Sequence, residues 1–492
     1  MSASKSTTTS VIERTRRRRR RFDEGETREA LLDAAEELFA TIGVEGVSIR
    51  SINAAAGLAA PSVHYHFGSK DDLLLAVLRR RNAVVTQRLD ELLDALETNG
   101  GVPSLQELVR AVAGSYLALL KREPVKGMRW LRLMGRLWLA EDPRLIPLNA
   151  ETGHLTERLL GFVRRMFPDE REHVLESGWR LAVSTLTQML GNMDTQGATR
   201  PRRYGGRASQ AYVAMLVEFV ASGVAALMTP KRTTTSRAAR HGVTKATAGA
   251  LPKAVPGCDN AADRLQQGEG ASREALMDAA EELFAAFGVE GASIRSINAA
   301  AGLSAPAVHY HFGSKDELLH AVLRRRGQVV TDRLGERLDA LETGGRIPSA
   351  HELFTAIANS YLDLLEREPE KGLRWLQLLA RLWLAQDPRL VPLDAEMGGL
   401  HERLMRLLSR AFPRVPRVNL EKRWRLAAST LLQMLGTSDA RVAAGVEEQG
   451  LRTSKAYAAM LVDFVAAGFD AVMGQQRSAR HLNRARRRTV PR

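Results

Sequence analysis

One cysteine occurs in 492 residues, Cys258, so neither a disulfide framework nor a cysteine-based metal site can form within the chain. No run of 18 apolar residues appears, which predicts no membrane span. The opening stretch MSASKSTTTSVIERTRRRRRR has no apolar h-region and does not read as a signal peptide. Together these absences predict a cytoplasmic protein. No segment alternates apolar and polar residues between hairpin turns, so strands are not expected. A glycine-rich phosphate loop, zinc-ligand spacing and a Ser/His/Asp arrangement are also missing. The expectation is no catalytic residue, no metal and no cofactor.

Positive charge is abundant but unevenly placed. The net charge is +15. Residues 1–22 hold eight Lys/Arg and one acid, residues 229–270 hold seven and three, and residues 474–492 hold seven and none. The remaining blocks are therefore slightly acidic. Basic low-complexity arms follow phosphates without reading sequence, so a nucleic-acid partner fits them. The run Arg16–Arg21 reads either as a solvated tail or as an arm on DNA.

What the chain has most clearly is a repeat. Residues 27–228 match 272–473 at a constant offset of 245. Trp130, Trp138 and Trp179 fall on Trp375, Trp383 and Trp424. The pattern divides the chain into a basic arm at 1–26, a head at 27–78 and a body at 79–228. A linker at 229–270 follows, then a second head at 271–323, a second body at 324–473 and a basic tail at 474–492. The linker is rich in Thr, Ala, Gly and Pro and reads as unstructured. As a coil its ends would lie about 36 Å apart, and it could stretch to about 140 Å. That is enough for the two copies to pair side by side.

Within the head, Leu31, Ala34, Ala35 and Leu38 make one face of a helix over 27–41. Ser48 caps a second helix, which Gly57 breaks. A short third helix starts near Pro61 and ends at Phe67–Gly68, and Ser69-Lys70-Asp71-Asp72 opens a fourth. This is a helix-turn-helix, repeated as GLAAPSVHYHFGSKDDLL and GLSAPAVHYHFGSKDELL. Its short helix can enter a major groove with small residues against the bases. The candidate DNA-contacting residues are Ser48, Ala59, Ala60, Ser62, His64, Tyr65, His66 and Lys70. Their counterparts are Ser293, Ser304, Ala305, Ala307, His309, Tyr310, His311 and Lys315. Lys70 sits at a helix N-terminus, where a phosphate would be welcome. Phe67 reads as core. His64 and His66 are two apart on a helix and do not converge on one metal.

The stretch GVEGVSIRSINAAAGLAAPSVHYHFGSKDDLL resembles the DNA-binding head of the TetR family of bacterial transcriptional regulators. The resemblance implies an all-α protein of two tandem units. Each would be a three-helix helix-turn-helix head on a helical ligand-binding and dimerisation body. It implies double-stranded DNA as partner, an unidentified small-molecule effector, and a repressor on a near-palindromic operator. It also implies that this chain is an intramolecular pseudo-dimer, with further dimerisation open. One departure is His64, where the family usually carries an aromatic such as tyrosine. A non-specific, architectural DNA-binding protein driven by the basic tails is the alternative.

The bodies read as helices over about 80–97, 104–121, 125–140, 152–166, 172–191 and 207–227, punctuated by prolines, and again at +245. Trp130, Met134 and Trp138 share one helical face, and Tyr116 can meet them from the preceding helix. Ordinary core packing explains this spacing; an apolar ligand pocket, with Tyr361, Trp375, Leu379 and Trp383 in the second copy, also does. Arg129 and Arg132 read as solvated charges. His154 meets Gly399 in the second copy, which argues against a shared metal site. The last two helices of each body are apolar on one side, and the resemblance makes them the pairing interface.

Overall fold

Leu31, Leu32, Ala35 and Phe39 recur at helical spacing and are all buried, which fixes the first helix, α1 (Glu24–Ile42), against the head core. The computed structural model describes residues 24–59, 61–98, 100–139, 142–191, 207–229, 261–385, 387–396, 399–436 and 450–488. Twenty α-helices, and no strand, occur among the described residues.

The head continues with α2 (Ile49–Ala55) and α3 (Ser62–Phe67). Ser48 caps α2 by accepting from the Ser51 amide, and Ser51 returns the bond. The chain then turns through Gly57 at φ 70°, a conformation that side chains resist. Next comes α4 (Lys70–Thr98), one uninterrupted helix. Its first turns bury Leu73, Leu74, Val77 and Leu78; farther along it buries Val85, Leu89 and Leu93.

The body is built on α5 (Leu105–Arg122), α6 (Pro124–Leu139), a 3-10 turn (Pro143–Leu145) and α7 (Ile146–Glu151). It is completed by α8 (Gly153–Met166), α9 (Glu172–Gly191) and α10 (Arg207–Met228). The second unit repeats the order. Its head holds α11 (Ala261–Gly291), bent at Gly288, then α12 (Ile294–Ala300) and α13 (Ala307–Phe312). Its body follows through α14 (Lys315–Thr343), α15 (Ala350–Arg367), α16 (Pro369–Ala385) and α17 (Leu390–Glu396). It ends with α18 (Leu400–Ala411), α19 (Arg417–Leu435) and α20 (Gly450–Arg488).

Three boundaries differ from the sequence reading. Helix α1 starts at Glu24, inside the expected arm. Helix α11 starts at Ala261, so residues 261–270 of the expected linker are helical. Helix α20 runs on to Arg488 through most of the expected tail, a stretch with no proline or glycine between 475 and 488 to stop it. The run Arg16–Arg21, Cys258 and linker residues 230–260 lie outside the described residues.

The two units meet chiefly where α10 packs on α20. Phe219 and Phe464 pack edge to face, with centroids 6.0 Å apart. Gly223 and Gly468 lie at the crossing. A β-carbon on Gly223 would come within 2.7 Å of the Phe464 ring, and one on Gly468 within 2.5 Å of the Phe219 carbonyl oxygen. Only hydrogen fits on either side. By length and composition Gln210–Met228 and Lys455–Gly474 could cross a membrane. Their packing accounts for that apolarity, because Leu216, Phe219, Val220, Leu461, Phe464 and Val465 are fully buried. Helices α1 and α11 also approach one another, so the heads sit on the same side of the crossing.

Candidate nucleic-acid interface

A buried asparagine builds the helix-turn-helix. Asn53 is 2% exposed; its Oδ1 accepts from the Val63 amide at 3.3 Å and its Nδ2 donates to Ile49 O at 3.0 Å. Asn298 likewise accepts from Val308 and donates to Ala305 O at 2.7 Å. The amide side chain thus holds α3 at a fixed angle to α2, with Val63 beneath it. Sequence reasoning passed over this residue, since INAAAG looks like an ordinary polar helix.

With α3 held from below, its upper face is open. His64 and Tyr65 are exposed, Tyr65 by 76%, and His66 is half-buried with its ring edge-on to Tyr65 at 5.0 Å. His64 Nδ1 lies 2.8 Å from Gly68 O. A carbonyl only accepts, so Nδ1 carries the proton, and Nε2 of the neutral ring is an acceptor. His309 makes the same bond to Gly313 O at 2.9 Å. Ala59 is exposed, and Ser62 donates to Ala59 O at 2.9 Å, closing the turn. Ser304, Ala305 and Ala307 occupy the same turn in the second head; Ala60 lies outside the described residues. Phe67 and Phe312 are half-buried under Arg28 and Arg273, whose guanidinium carbons sit 5.1 and 4.9 Å from the ring centres.

Three expected contacts look different in the structure. Ser48 and Ser293 are exposed, but their hydroxyls are engaged in capping α2 and α12. Lys70 donates to Val44 O at 3.1 Å and Val47 O at 3.3 Å, and Lys315 repeats this with Val289 and Ala292. The sequence reading puts Lys70 on a phosphate; here two of the three ammonium protons close the loop between the first two helices. Tyr310 donates to Glu269 Oε1 at 2.8 Å, a bond that raises the phenol above its ordinary pKa, whereas Tyr65 makes no such bond among the described residues. Arg50 and Arg295, not singled out from the sequence, are exposed in the first turn of α2 and α12 and form no ion pair among the described residues.

The sequence profile described as bacterial regulatory proteins of the tetR family matches residues 31–77 and again 276–322. A second profile, a tetracyclin repressor-like C-terminal domain, matches 110–223 and 355–468. The chain belongs to the TetR family. Among curated relatives, a 65-residue stretch is 34% identical to the HTH-type transcriptional repressor AcnR of Corynebacterium efficiens and 37% identical to AcnR of Corynebacterium glutamicum. Each covers 13% of this chain and 35% of the relative. A 55-residue stretch is 44% identical to the uncharacterized HTH-type transcriptional regulator TtgW of Pseudomonas putida, covering 11% of this chain and 41% of the relative.

The first body holds a cavity of about 700 Å³ that opens to solvent, and Tyr116, Trp130, Met134 and Trp138 all line it together with Trp179 and Thr187. Trp130 also anchors the body to α4, donating to Leu78 O at 3.0 Å. Thr187 Oγ1 lies 3.1 Å from the Tyr116 hydroxyl and 2.9 Å from Val183 O, so it can accept from one while donating to the other. Burial pushes the Tyr116 phenol up to about 12. Exposed Glu157, Glu176 and Arg180 also line the cavity at its solvent side, and the largely buried Asp142 in its lining is paired with Arg144. Arg129 and Arg132 do not reach the cavity: they bind Glu37 at 3.2 Å and Gly191 O at 2.9 Å.

One wall of the cavity is Asp142, Pro143, Leu145 and Ile146. Within that wall Arg144 binds Asp142 and reaches the head, 2.8 Å from Glu45 and 3.3 Å from Asp71. Burial works to raise the Asp142 carboxyl, but the Arg144 hydrogen bonds and charge outweigh it and hold the pKa below the usual aspartate range. Arg389 ties Asp387 to Glu290 and Asp316 in the same way. Beside this strut, Arg80 binds Glu36, which is 1% exposed, at 2.6 Å; Arg81 bridges Glu36 and Glu123.

Proposed function

We propose that the chain is a cytoplasmic, sequence-specific regulator of transcription that represses by occupying a near-palindromic operator as a single-chain pseudo-dimer. The observation that carries this is the pairing of two like readers in one chain. Both α3 and α13 present an exposed His-Tyr pair, and the α10–α20 crossing joins their bodies. Paired readers of this kind enter successive major grooves about 34–36 Å apart. Near-identical reader sequences call for near-identical half-sites.

The reading includes an effector. A molecule entering the first body would press on the Asp142–Ile146 wall, and Arg144 would carry that movement to the loop after α1 and the start of α4. A shift in head spacing costs affinity for a site of fixed spacing. No group of three metal-ligating side chains occurs among the described residues.

Gel shift and footprinting of the full chain on its own upstream DNA, against random competitor, test the reading. One chain protecting both half-sites of a palindrome is the expected result. Equal loss to random DNA at every salt concentration would instead favour a non-specific protein driven by basic tails.

A further inference from the structure

The two bodies share their aromatic frame but not its lining. Thr187, which meets Tyr116 at the cavity floor, is replaced by Leu432, so Tyr361 has no threonine partner. Val112 becomes Ile357, and Val109, just outside the cavity wall, becomes Phe354. Phe354 is fully buried and stacks on Trp424 with ring centres 5.4 Å apart and planes 14° apart. Trp424 is the counterpart of the cavity-lining Trp179. Two replacements go the other way, since Gly327 and Ala428 are smaller than Asn82 and Val183. The indole nitrogens of Trp383 and Trp424 report the outcome. Both are cut off from solvent, and neither has a hydrogen-bond partner among the described residues. In a site open to water, water would satisfy them, because a buried unpaired N–H is costly. Their counterparts Trp138 and Trp179 border a cavity of about 700 Å³.

We infer that sensing is confined to the first body: one effector molecule binds per chain, and the second body is a sealed copy kept for pairing and DNA reading. This rests on the effector reading given above and assigns it to one half. The ligand class follows from the lining. Trp130, Trp138, Trp179 and Met134 call for a largely apolar, uncharged molecule of drug size. The Tyr116–Thr187 hydroxyl pair calls for one hydroxyl or carbonyl at its deep end. A homodimer of this family has two equivalent bodies by symmetry; here the substitutions make them unequal.

Titration of the full chain with the neutral apolar fluorophore N-phenyl-1-naphthylamine tests this, with tryptophan-to-probe energy transfer as a second signal. One probe per chain is expected. Thr187→Leu, which copies the second body, is expected to weaken binding by about tenfold or more. Trp179→Phe is expected to weaken it too, while Trp424→Phe leaves it unchanged. Phe354→Val with Leu432→Thr is expected to raise the stoichiometry to two. Two probes per wild-type chain, or none, overturns the inference, as does an equal effect of Trp179→Phe and Trp424→Phe. If a probe binds once in the first body and DNA affinity does not move, the one-site inference stands and the effector reading falls.

Discussion

Asn53 and Arg50 sit three residues apart and do opposite work. Asn53 is buried and holds the Val63 amide. Asn53→Ala leaves that buried N–H unpaired and is expected to cost about 1–3 kcal/mol of stability, read by urea unfolding, with one half-site lost in footprints. Arg50 is open to solvent. Arg50→Ala is expected to leave stability alone, weaken DNA binding equally for all sequences, and reduce the slope of log K against log salt by about one. Neither role was legible in the sequence. An asparagine within seven helical residues looks like surface until the next helix packs across it. The reader itself was legible, because the Ser48 cap, the Gly57 turn and the His-Tyr-His-Phe run are local signals. The structural task of Lys70 escaped for the opposite reason: its carbonyl partners lie 23 and 26 residues back along the chain. Local pattern cannot see them.

At the scale of elements, the head and body are joined by α4 and by two clusters of charge. Glu36 is enclosed between Arg80 and Arg81, and Glu281 is held the same way by Arg325 and Arg326. Glu36→Ala removes the carboxylate that Arg80 and Arg81 share, while Glu29, Asp33 and Glu123 still pair with them, and is expected to destabilise by about 1–3 kcal/mol, measured by denaturant melts. Arg144 belongs to a different class because it is half-buried and links the cavity wall to the head. Arg144→Ala is expected to leave operator affinity within about twofold and to blunt its response to an effector, seen as a flattened release curve in fluorescence anisotropy. The long helices of both bodies fell where apolar periodicity put them, and the fourth helix of the head and the first of the body proved to be one helix, α4. The 3-10 turn and α7 did not. DPRLIPLNAE carries two prolines in ten residues, and periodicity has too little length there to work with. The wall of the cavity therefore escaped the sequence reading, although Tyr116, Trp130, Met134 and Trp138 did not.

For the whole molecule the deciding contact is the α10–α20 crossing. Gly223→Val would drive a side chain into Phe464. The expected result is that the halves part: small-angle scattering shows a longer particle, and affinity for the full operator falls at least tenfold while binding to an isolated half-site persists. The sequence revealed the two copies and the apolar faces that pair them. It could not reveal this point of contact, because glycine in a helix is usually a weakness and becomes a fitting only beside another backbone.

The two glycines have a consequence for how such a chain can change. In a homodimer one gene writes both sides of the crossing, so every mutation arrives twice and the partners cannot drift apart. Here Gly223 and Gly468 are written separately. A lesion at one reaches the crossing as a single dose, and the opposite side can answer it later. The same freedom extends to every paired position, so two halves that began alike can diverge one residue at a time while the crossing between them holds.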